Sequence, residues 1–402
     1  MAELRLAYEW GDGVYTLLSW FKKEKVKDAR VLVAGAGALG NEVVKNLALF
    51  GVGHIYVVDF DQIELSNLTR SVLFREEDAY QHAYKADIVA KRAMEIDPQI
   101  HVTPIVGNLF SEVGFGLYNA VDVVIGCLDS RIARYQLNRL CMRAGKTWID
   151  GSIENLTGTV RVYKPGVSCY ECGLSREEFN NIMLRTGCAD VVRTQGKAGR
   201  VATTPISASI IGAMQVQEAM KIIHEDTQEP SPFKTLQGKM LRYEGMTNSM
   251  NIYKFASWKN TCPAHERWSN ITRGIALSAT QTVGSTLRTL KRELNVKVVE
   301  INMRNNKFID KIVSDQPEKV FPVMLPESKL EAHIKQHEEL RKLSYRTLFH
   351  KSFHENISKD FPYQELTLQQ IGIPPFDVIE VSTDKGVYHV ELSADATCYD
   401  SL

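Results

Sequence analysis

Three sets of residues have the types and spacing that chemistry requires. Gly35, Gly37 and Gly40 fit G-x-G-x-x-G, in which glycines let the backbone turn sharply, approach a phosphate and pack a helix against a strand. The helix that follows offers free N–H groups and its positive dipole end to an anion. Asp59 stands about twenty residues further on, where a carboxylate can bond ribose hydroxyls. To this point a nicotinamide-dependent dehydrogenase and an ATP-using enzyme fit equally. The second set is Cys169 and Cys172 as C-x-x-C, with Cys262 and His265 as C-x-x-H. Each short turn can present two ligands to one tetrahedral zinc ion, and imidazole nitrogen serves as well as thiolate. Four protein ligands leave no open position, so such a site is structural. The competing reading is a pair of buried cysteines and a surface histidine. The third candidate is Cys188, with Arg185, Arg193 and Lys197 close in sequence, because nearby cations favour the nucleophilic thiolate. A buried structural cysteine or a spare thiol would look the same in sequence. Cys127 and Cys141 have apolar neighbours that suit core packing, and Cys398 lies near a terminus expected to fray.

The elements that must position these residues are legible as strand and helix alternation. Arg30–Ala34 is a short β-branched run that ends at Gly35, and the following NEVVKNLALF has helical apolar spacing. Further strands are expected at His54, near His101 and from Val121. KADIVAKRAMEI and RIARYQLNRLCMRAG form helices between and after them. The order predicts an α/β doubly wound, Rossmann-like sheet with ligands at the carboxyl ends of its strands. TWIDGSI and TGTVRVY read as more strands, and Ser207 to Ile223 as a long helix that is apolar on most faces. The pattern changes around Trp258 to Asn270, which places the domains at 1–274 and 275–402. The last portion contains VKVVEINMR, a charged stretch from Pro326 to about Ile357 that reads as helical, and TLQQIGIPPFDVIEV followed by VYHVELS.

Composition narrows the class of protein. At 402 residues, with 44% hydrophobic and 24% charged residues, the chain has the balance of a globular protein of about two or three domains. Lys plus Arg equals Asp plus Glu at 48 each, which gives no basic footprint for nucleic acid or membrane. The amino terminus has no secretory pattern and no apolar run nears the ~20 residues of a membrane span, so the expectation is a cytoplasmic protein. Seven cysteines in such a chain read as ligands, a nucleophile and core fillers rather than a disulfide framework.

The stretch DFDQIELSNLTR from Asp59 to Arg70, with Lys85 beyond it and CLD at 127–129, separates the two nucleotide readings. Here the sequence resembles the superfamily that contains ThiF, MoeB and the ubiquitin-activating enzymes, over about residues 30–270. That family has D-x-D-x-x-x-x-S-N-x-x-R after the second strand, a lysine opening the next helix, and an aspartate at the tip of the fourth strand with an arginine and an asparagine beyond. This chain supplies Asp59, Asp61, Ser66, Asn67, Arg70, Lys85, Asp129, Arg134 and Asn138. The resemblance implies ATP binding by the glycine loop, Asp59, Asp61, Asn67, Arg70, Lys85, Asp129 and Arg134. The roles are chemically sensible, because displacing pyrophosphate from ATP builds negative charge that cations such as Arg70 and Lys85 can stabilise. Asp129 is suited to Mg²⁺ through one carboxylate, with nucleotide and water filling the rest. Taken singly, Arg70 and Lys85 read as solvated side chains, Asn67 as a turn residue and Asp129 as a helix cap.

The resemblance also implies a thioester-forming cysteine between the first cysteine pair and Thr204-Pro205, within a loop of about 173–204, which selects Cys188. It implies a zinc knuckle at Cys169, Cys172, Cys262 and His265, where relatives usually have cysteine at all four positions. The family's R-Y-x-R-Q run ahead of the first strand is missing, which leaves Arg5 as the sole arginine in the first 29 residues. TLQQIGIPPFDVIEV looks like the end of a ubiquitin-fold domain, so the second domain is expected to be a small α+β, β-grasp module that captures a conjugating enzyme. The expectation is therefore ATP-dependent activation of a ubiquitin-like protein in three steps: adenylation of its terminal glycine, thioester formation on Cys188 and transfer to a conjugating enzyme. A compact homodimer of the bacterial antiviral conjugation type is implied. Three alternatives stay open: a sulfur-carrier adenylyltransferase without an obligatory thioester, a nicotinamide oxidoreductase and a non-catalytic scaffold subunit.

Overall fold

A computed structural model of the chain describes residues 15–187, 202–225, 233–254, 258–303, 306–315, 318–343 and 349–399. Two units are distinguished by their internal packing: Met1–Asn108 with Tyr118–Arg267, and Leu109–Leu117 with Trp268–Leu402. In chain order the first contains α1 (Lys23–Asp28), β1 (Arg30–Ala34), α2 (Ala38–Leu49), β2 (His54–Val58), α3 (Glu76–Tyr80), α4 (Lys85–Ile96) and β3 (His101–Ile105). After α5 (Phe115–Ala120) come β4 (Val123–Gly126), α6 (Arg131–Ala144), β5 (Trp148–Glu154), β6 (Thr157–Tyr163), α7 (Arg176–Gly187), α8 (Pro205–Ile223), β7 (Lys239–Glu244) and β8 (Ser249–Lys254).

These eight strands form one sheet in the order β3-β2-β1-β4-β5-β6-β7-β8. The pairs from β3 to β5 are parallel, and those from β5 to β8 are antiparallel. Val31, Leu32, Val33 and Ala34 are all fully buried, as a central parallel strand covered on both faces requires. Chain order reverses between β1 and β4, which makes their carboxyl ends the switch point where such sheets hold ligands. Two helix starts are fixed by local capping. The Ser130 side chain accepts from Ala133 N–H ahead of α6, and Thr204 accepts from Ser207 N–H ahead of α8, with Pro205 in the first turn. Among the described residues no helix is long and apolar enough to cross a membrane.

The second unit contains β9 (Ile271–Thr272), α9 (Val283–Glu293), β10 (Val299–Asn302), β11 (Phe308–Asp315), β12 (Glu318–Pro326), α10 (Glu327–Gln336), α11 (Glu338–Leu343), β13 (Phe349–His354), β14 (Asn356–Ile357), β15 (Val378–Thr383) and β16 (Gly386–Glu391). Its five-stranded sheet runs β14-β10-β15-β16-β9 and a separate three-stranded sheet runs β12-β11-β13. The unit thus combines two separate sheets with the helices α9, α10 and α11. β15 pairs antiparallel on both sides, and the β16–β9 pair at the edge is parallel. Leu109–Leu117 joins this unit through Phe115 N–H, which donates to Asp377 Oδ1 at 2.8 Å, and through Gly116, where a Cβ would lie 2.5 Å from Phe376 O. The helical reading of Pro326 to Ile357 needs correction. Helix occupies Glu327–Gln336 and Glu338–Leu343, whereas Phe349–His354 is a strand paired with β11. Local charge favours helix there, but pairing with a distant strand decides.

Candidate nucleotide site and metal centre

Register places the ends of three strands side by side: Ala34 opposite Val58 and Gly126. Gly35 N–H donates to Val58 O at 2.9 Å and Cys127 N–H to Ala34 O at 2.8 Å, so the glycine loop, Asp59 and Cys127 leave the sheet together. Gly35 has φ +100°, and a Cβ there would lie 2.6 Å from Cys127 O. A Cβ on Gly40 would lie 2.0 Å from Gly35 O, which is the close helix-to-loop packing the motif anticipates. Gly37 caps α2 and a Cβ on it would meet nothing within 4 Å. The first and third glycines are therefore demanded by packing, while the second faces open space at a helix amino terminus.

Asp59 closes the loop. Its Oδ2 accepts from Ala36 N–H at 2.7 Å and its Oδ1 from Asp61 N–H at 2.8 Å. Burial pushes its carboxyl above the ordinary aspartate value, outweighing those two hydrogen bonds and the charge of Lys85, which all act downward. Asn41, which the sequence reading missed, is fully buried. It donates to Ala36 O and Gly37 O at 2.9 and 3.0 Å and accepts from Leu73 N–H at 2.9 Å. One asparagine thus ties the loop to the segment after Arg70. The available signal was a polar residue on the inward face of the first turn of α2.

Lys85 opens α4, and its Nζ lies 2.7 Å from Asp61 Oδ2. Asn67 Oδ1 accepts from Glu64 N–H at 3.0 Å, and Arg70 Nη1 donates to Ser66 O at 2.8 Å. Asn67 and Arg70 thereby shape their own turn. Asp129 is exposed beyond β4 and has no side-chain partner among the described residues. Ser130, not Asp129, is the cap of α6.

Arg134 is turned into the sheet. Its Nε donates to Asp150 Oδ1 at 2.7 Å, and its Nη2 to Leu128 O at 2.6 Å and Gly151 O at 3.0 Å. Arg161 reaches the other Asp150 oxygen at 3.3 Å. Gln215 of α8 donates to Gly126 O at 2.9 Å. It fits because position 151 is glycine, where a Cβ would lie 2.4 Å from the Gln215 side chain. Asp150, Arg161 and Gln215 escaped the sequence reading; the only local signal was a charged residue inside the apolar run TWIDGSI. Asn138 is buried and accepts from Tyr170 N–H at 2.9 Å. Burial pushes the Cys127 and Cys141 thiols up, which suits inert packing.

The two short cysteine and histidine motifs converge. Ligand atoms of Cys169, Cys172, Cys262 and His265 all lie within 4.8 Å of one another. Cys169 Sγ is 3.9 Å from Cys262 Sγ, and His265 Nε2 is 3.2 Å from Cys169 Sγ and 3.4 Å from Cys172 Sγ. Zinc bonds of about 2.3 Å to sulfur and about 2.0 Å to nitrogen imply tetrahedral edges of roughly 3.5–3.8 Å, which these separations approach. Backbone N–H groups of Cys172 and Lys259 point at Cys169 Sγ and Cys172 Sγ, at 3.3 and 3.4 Å, as thiolate ligands favour. Trp258 stacks on the His265 ring at 3.3 Å, and Arg139 with Glu171 forms a two-pronged ion pair beside the cluster. The donor set and its spacing fit a structural metal ion such as zinc.

Cys188, Arg193, Lys197 and Arg5 lie outside the described residues, as does the side chain of Arg185. Thr204 and Pro205 are described as the start of α8.

Residues 15–264 match the ThiF family. The chain belongs to the ThiF family. The SUMO-activating enzyme subunit uba-2 of Caenorhabditis elegans is 37% identical over 157 residues, covering 38% of this chain and 27% of that protein. The molybdopterin-synthase adenylyltransferase of Escherichia coli (strain K12) is 33% identical over 227 residues, covering 56% of this chain and 82% of that protein. The match thus spans about a quarter of the first relative and most of the second. A crystal structure of E. coli MccB with ATP superposes with a TM-score of 0.48 at 22% identity, over 60% of this chain and 68% of that one. The ThiF match ends at residue 264, and β9 to β16 lie beyond it.

Proposed function

We propose that this ThiF-family chain binds Mg-ATP at the ends of β1, β2 and β4 and adenylates the carboxyl-terminal glycine of a small ubiquitin-like protein. The supporting observation is the joint arrangement there: a glycine loop with open space at Gly37, latched by Asp59, beside Lys85–Asp61, Arg70 and a free Asp129 carboxylate. The terminal carboxylate attacks the α-phosphorus, the bond to the β-phosphate breaks, and pyrophosphate leaves from an acyl-adenylate. Lys85 and Arg70 supply fixed positive charge as negative charge grows on the α-phosphate and the leaving group. Asp129 would hold Mg²⁺, which neutralises phosphate charge. Cys169, Cys172, Cys262 and His265 would hold a zinc ion with no place in the chemistry.

The acyl group then passes to Cys188: its thiolate attacks the carbonyl carbon, AMP leaves and a thioester remains. The second unit would recruit the conjugating enzyme that accepts it, and the enzyme would act as a homodimer. A sulfur-carrier pathway without the thioester is the second reading, favoured by the 82% coverage of the molybdopterin-synthase adenylyltransferase. Incubation with ATP and a candidate small β-grasp protein, followed by electrophoresis, separates them. A thiol-sensitive conjugate in wild type and none in Cys188→Ala supports the first reading. Full activity of Cys188→Ala sinks it in favour of the second, and absence of ATP–pyrophosphate exchange sinks both.

A further inference from the structure

We propose that Asp150, acting through Arg134, is a positioning residue that fixes the turn Cys127–Ser130 and so aims the Asp129 carboxylate at the cation. This rests on the adenylation reading above. The turn is held at two backbone points, Cys127 N–H on Ala34 O at 2.8 Å and Leu128 O beneath Arg134 Nη2 at 2.6 Å, and the strand end it springs from is held at Gly126 O beneath Gln215 Nε2 at 2.9 Å. The Leu128 contact immediately precedes Asp129. Arg134 lies in the first turn of α6, the helix into which this segment runs, and its long side chain reaches back to Leu128 O, so its guanidinium must itself be fixed to serve as a clamp. Asp150, 0% exposed, does this with Oδ1 at 2.7 Å, and Gly151 O adds a second anchor at 3.0 Å. Arg161 occupies the other carboxylate oxygen, so Asp150 has little freedom to rotate.

Two arguments favour positioning over stability as the purpose of this pair. A buried ion pair is a poor stabiliser relative to well-packed apolar residues of similar volume, because desolvation offsets the attraction. And the contacts fall on backbone carbonyls, which leaves the Asp129 side chain without a partner among the described residues. A cation that takes one protein carboxylate, with phosphates and water completing its shell, depends on that carboxylate being oriented beforehand. Arg134 is thus assigned to hold the wall of the site and not a phosphate.

The test is a double variant, Arg134→Met/Asp150→Leu, which removes the clamp while replacing buried charge with apolar volume. It should fold with a melting temperature near wild type. Amide exchange in the full-length apo protein should accelerate about tenfold or more in a peptide covering residues 126–131 and stay unchanged in one covering 30–34. Mn²⁺ titrated with a non-hydrolysable ATP analogue, read by electron paramagnetic resonance, should bind about 10–100-fold more weakly. Arg134→Lys, which keeps the charge but loses the two-armed geometry, should fall between. Wild-type Mn²⁺ affinity in the folded double variant overturns the proposal. So does uniformly faster exchange with a collapsed melting temperature, which would assign the pair to the fold alone. Absence of ATP–pyrophosphate exchange in wild type overturns the adenylation reading itself, a result distinct from normal exchange with unchanged Mn²⁺ binding.

Discussion

Replacing each motif glycine by alanine should separate two jobs that the sequence pattern merges. A Cβ on Gly40 would lie 2.0 Å from Gly35 O, well inside the ~3.3 Å at which carbon and carbonyl oxygen touch. The oxygen belongs to a loop pinned by Asp59 and Asn41, so it yields little, and the cost should reach the upper end of overpacking, about 3 kcal/mol. Gly35→Ala adds left-handed strain of roughly 1–2 kcal/mol at φ +100° to an overlap at 2.6 Å, for a total of roughly 2–5 kcal/mol. Gly37 has φ −74° and open space, so alanine should cost about 0.5–1 kcal/mol as a poorer cap. At about 2–4 °C per kcal/mol, Gly40→Ala should melt about 6–12 °C lower and Gly37→Ala only a few degrees lower. Yet the Gly37 methyl would stand where a phosphate must approach the amino end of α2, so ATP affinity should drop about 100-fold in a protein that remains folded. Melting curves paired with equilibrium ATP binding test this. Equal destabilisation by Gly37→Ala and Gly40→Ala, or wild-type ATP affinity in Gly37→Ala, would refute the division of labour.

Lys85→Met should lower ATP–pyrophosphate exchange about 10²–10³-fold while shifting stability by less than ~1 kcal/mol, since its partner Asp61 is half exposed; a large loss of stability with normal exchange would contradict this. Elemental analysis should find one zinc per chain, absent from Cys172→Ser and retained in His265→Cys, and a chelator should lower the melting temperature; a metal-free protein of unchanged stability would remove the zinc assignment. Asp59 carries a raised carboxyl value when folded. Between the unfolded and folded values the native state holds a proton the unfolded state has lost, so this group's contribution to stability declines as pH rises through that window and stays low above it. Asp59→Asn lacks this dependence, so its stability deficit relative to wild type should narrow as pH rises from the ordinary aspartate value. Denaturant unfolding at a series of acid pH values checks the sign, and a deficit that widens there would contradict it.

The sequence by itself determined what is local. Strand Arg30–Ala34, the glycine loop and the helix after it follow from apolar periodicity and from glycine's freedom, properties that adjacent residues carry between them. The cysteine and histidine pairs were legible for the same reason, because a short turn sets two ligands side by side. The sequence also named Asp59, since the end of a parallel strand is where a ligand-facing side chain stands, while Lys85 and Asp129 were named by the resemblance to the ThiF and MoeB superfamily. Tertiary structure alone decided where charges go and which distant strands pair. Nothing near Arg134 announces that it turns inward to Asp150 on the neighbouring strand, because the stability of a buried charge depends on partners that only folding supplies. Likewise Phe349–His354 became a strand against β11 despite its charged surroundings, and Leu109–Leu117 joined the second unit through Asp377 and Phe376. Such pairings are settled by burial and hydrogen bonding across long sequence separations, which no local pattern encodes.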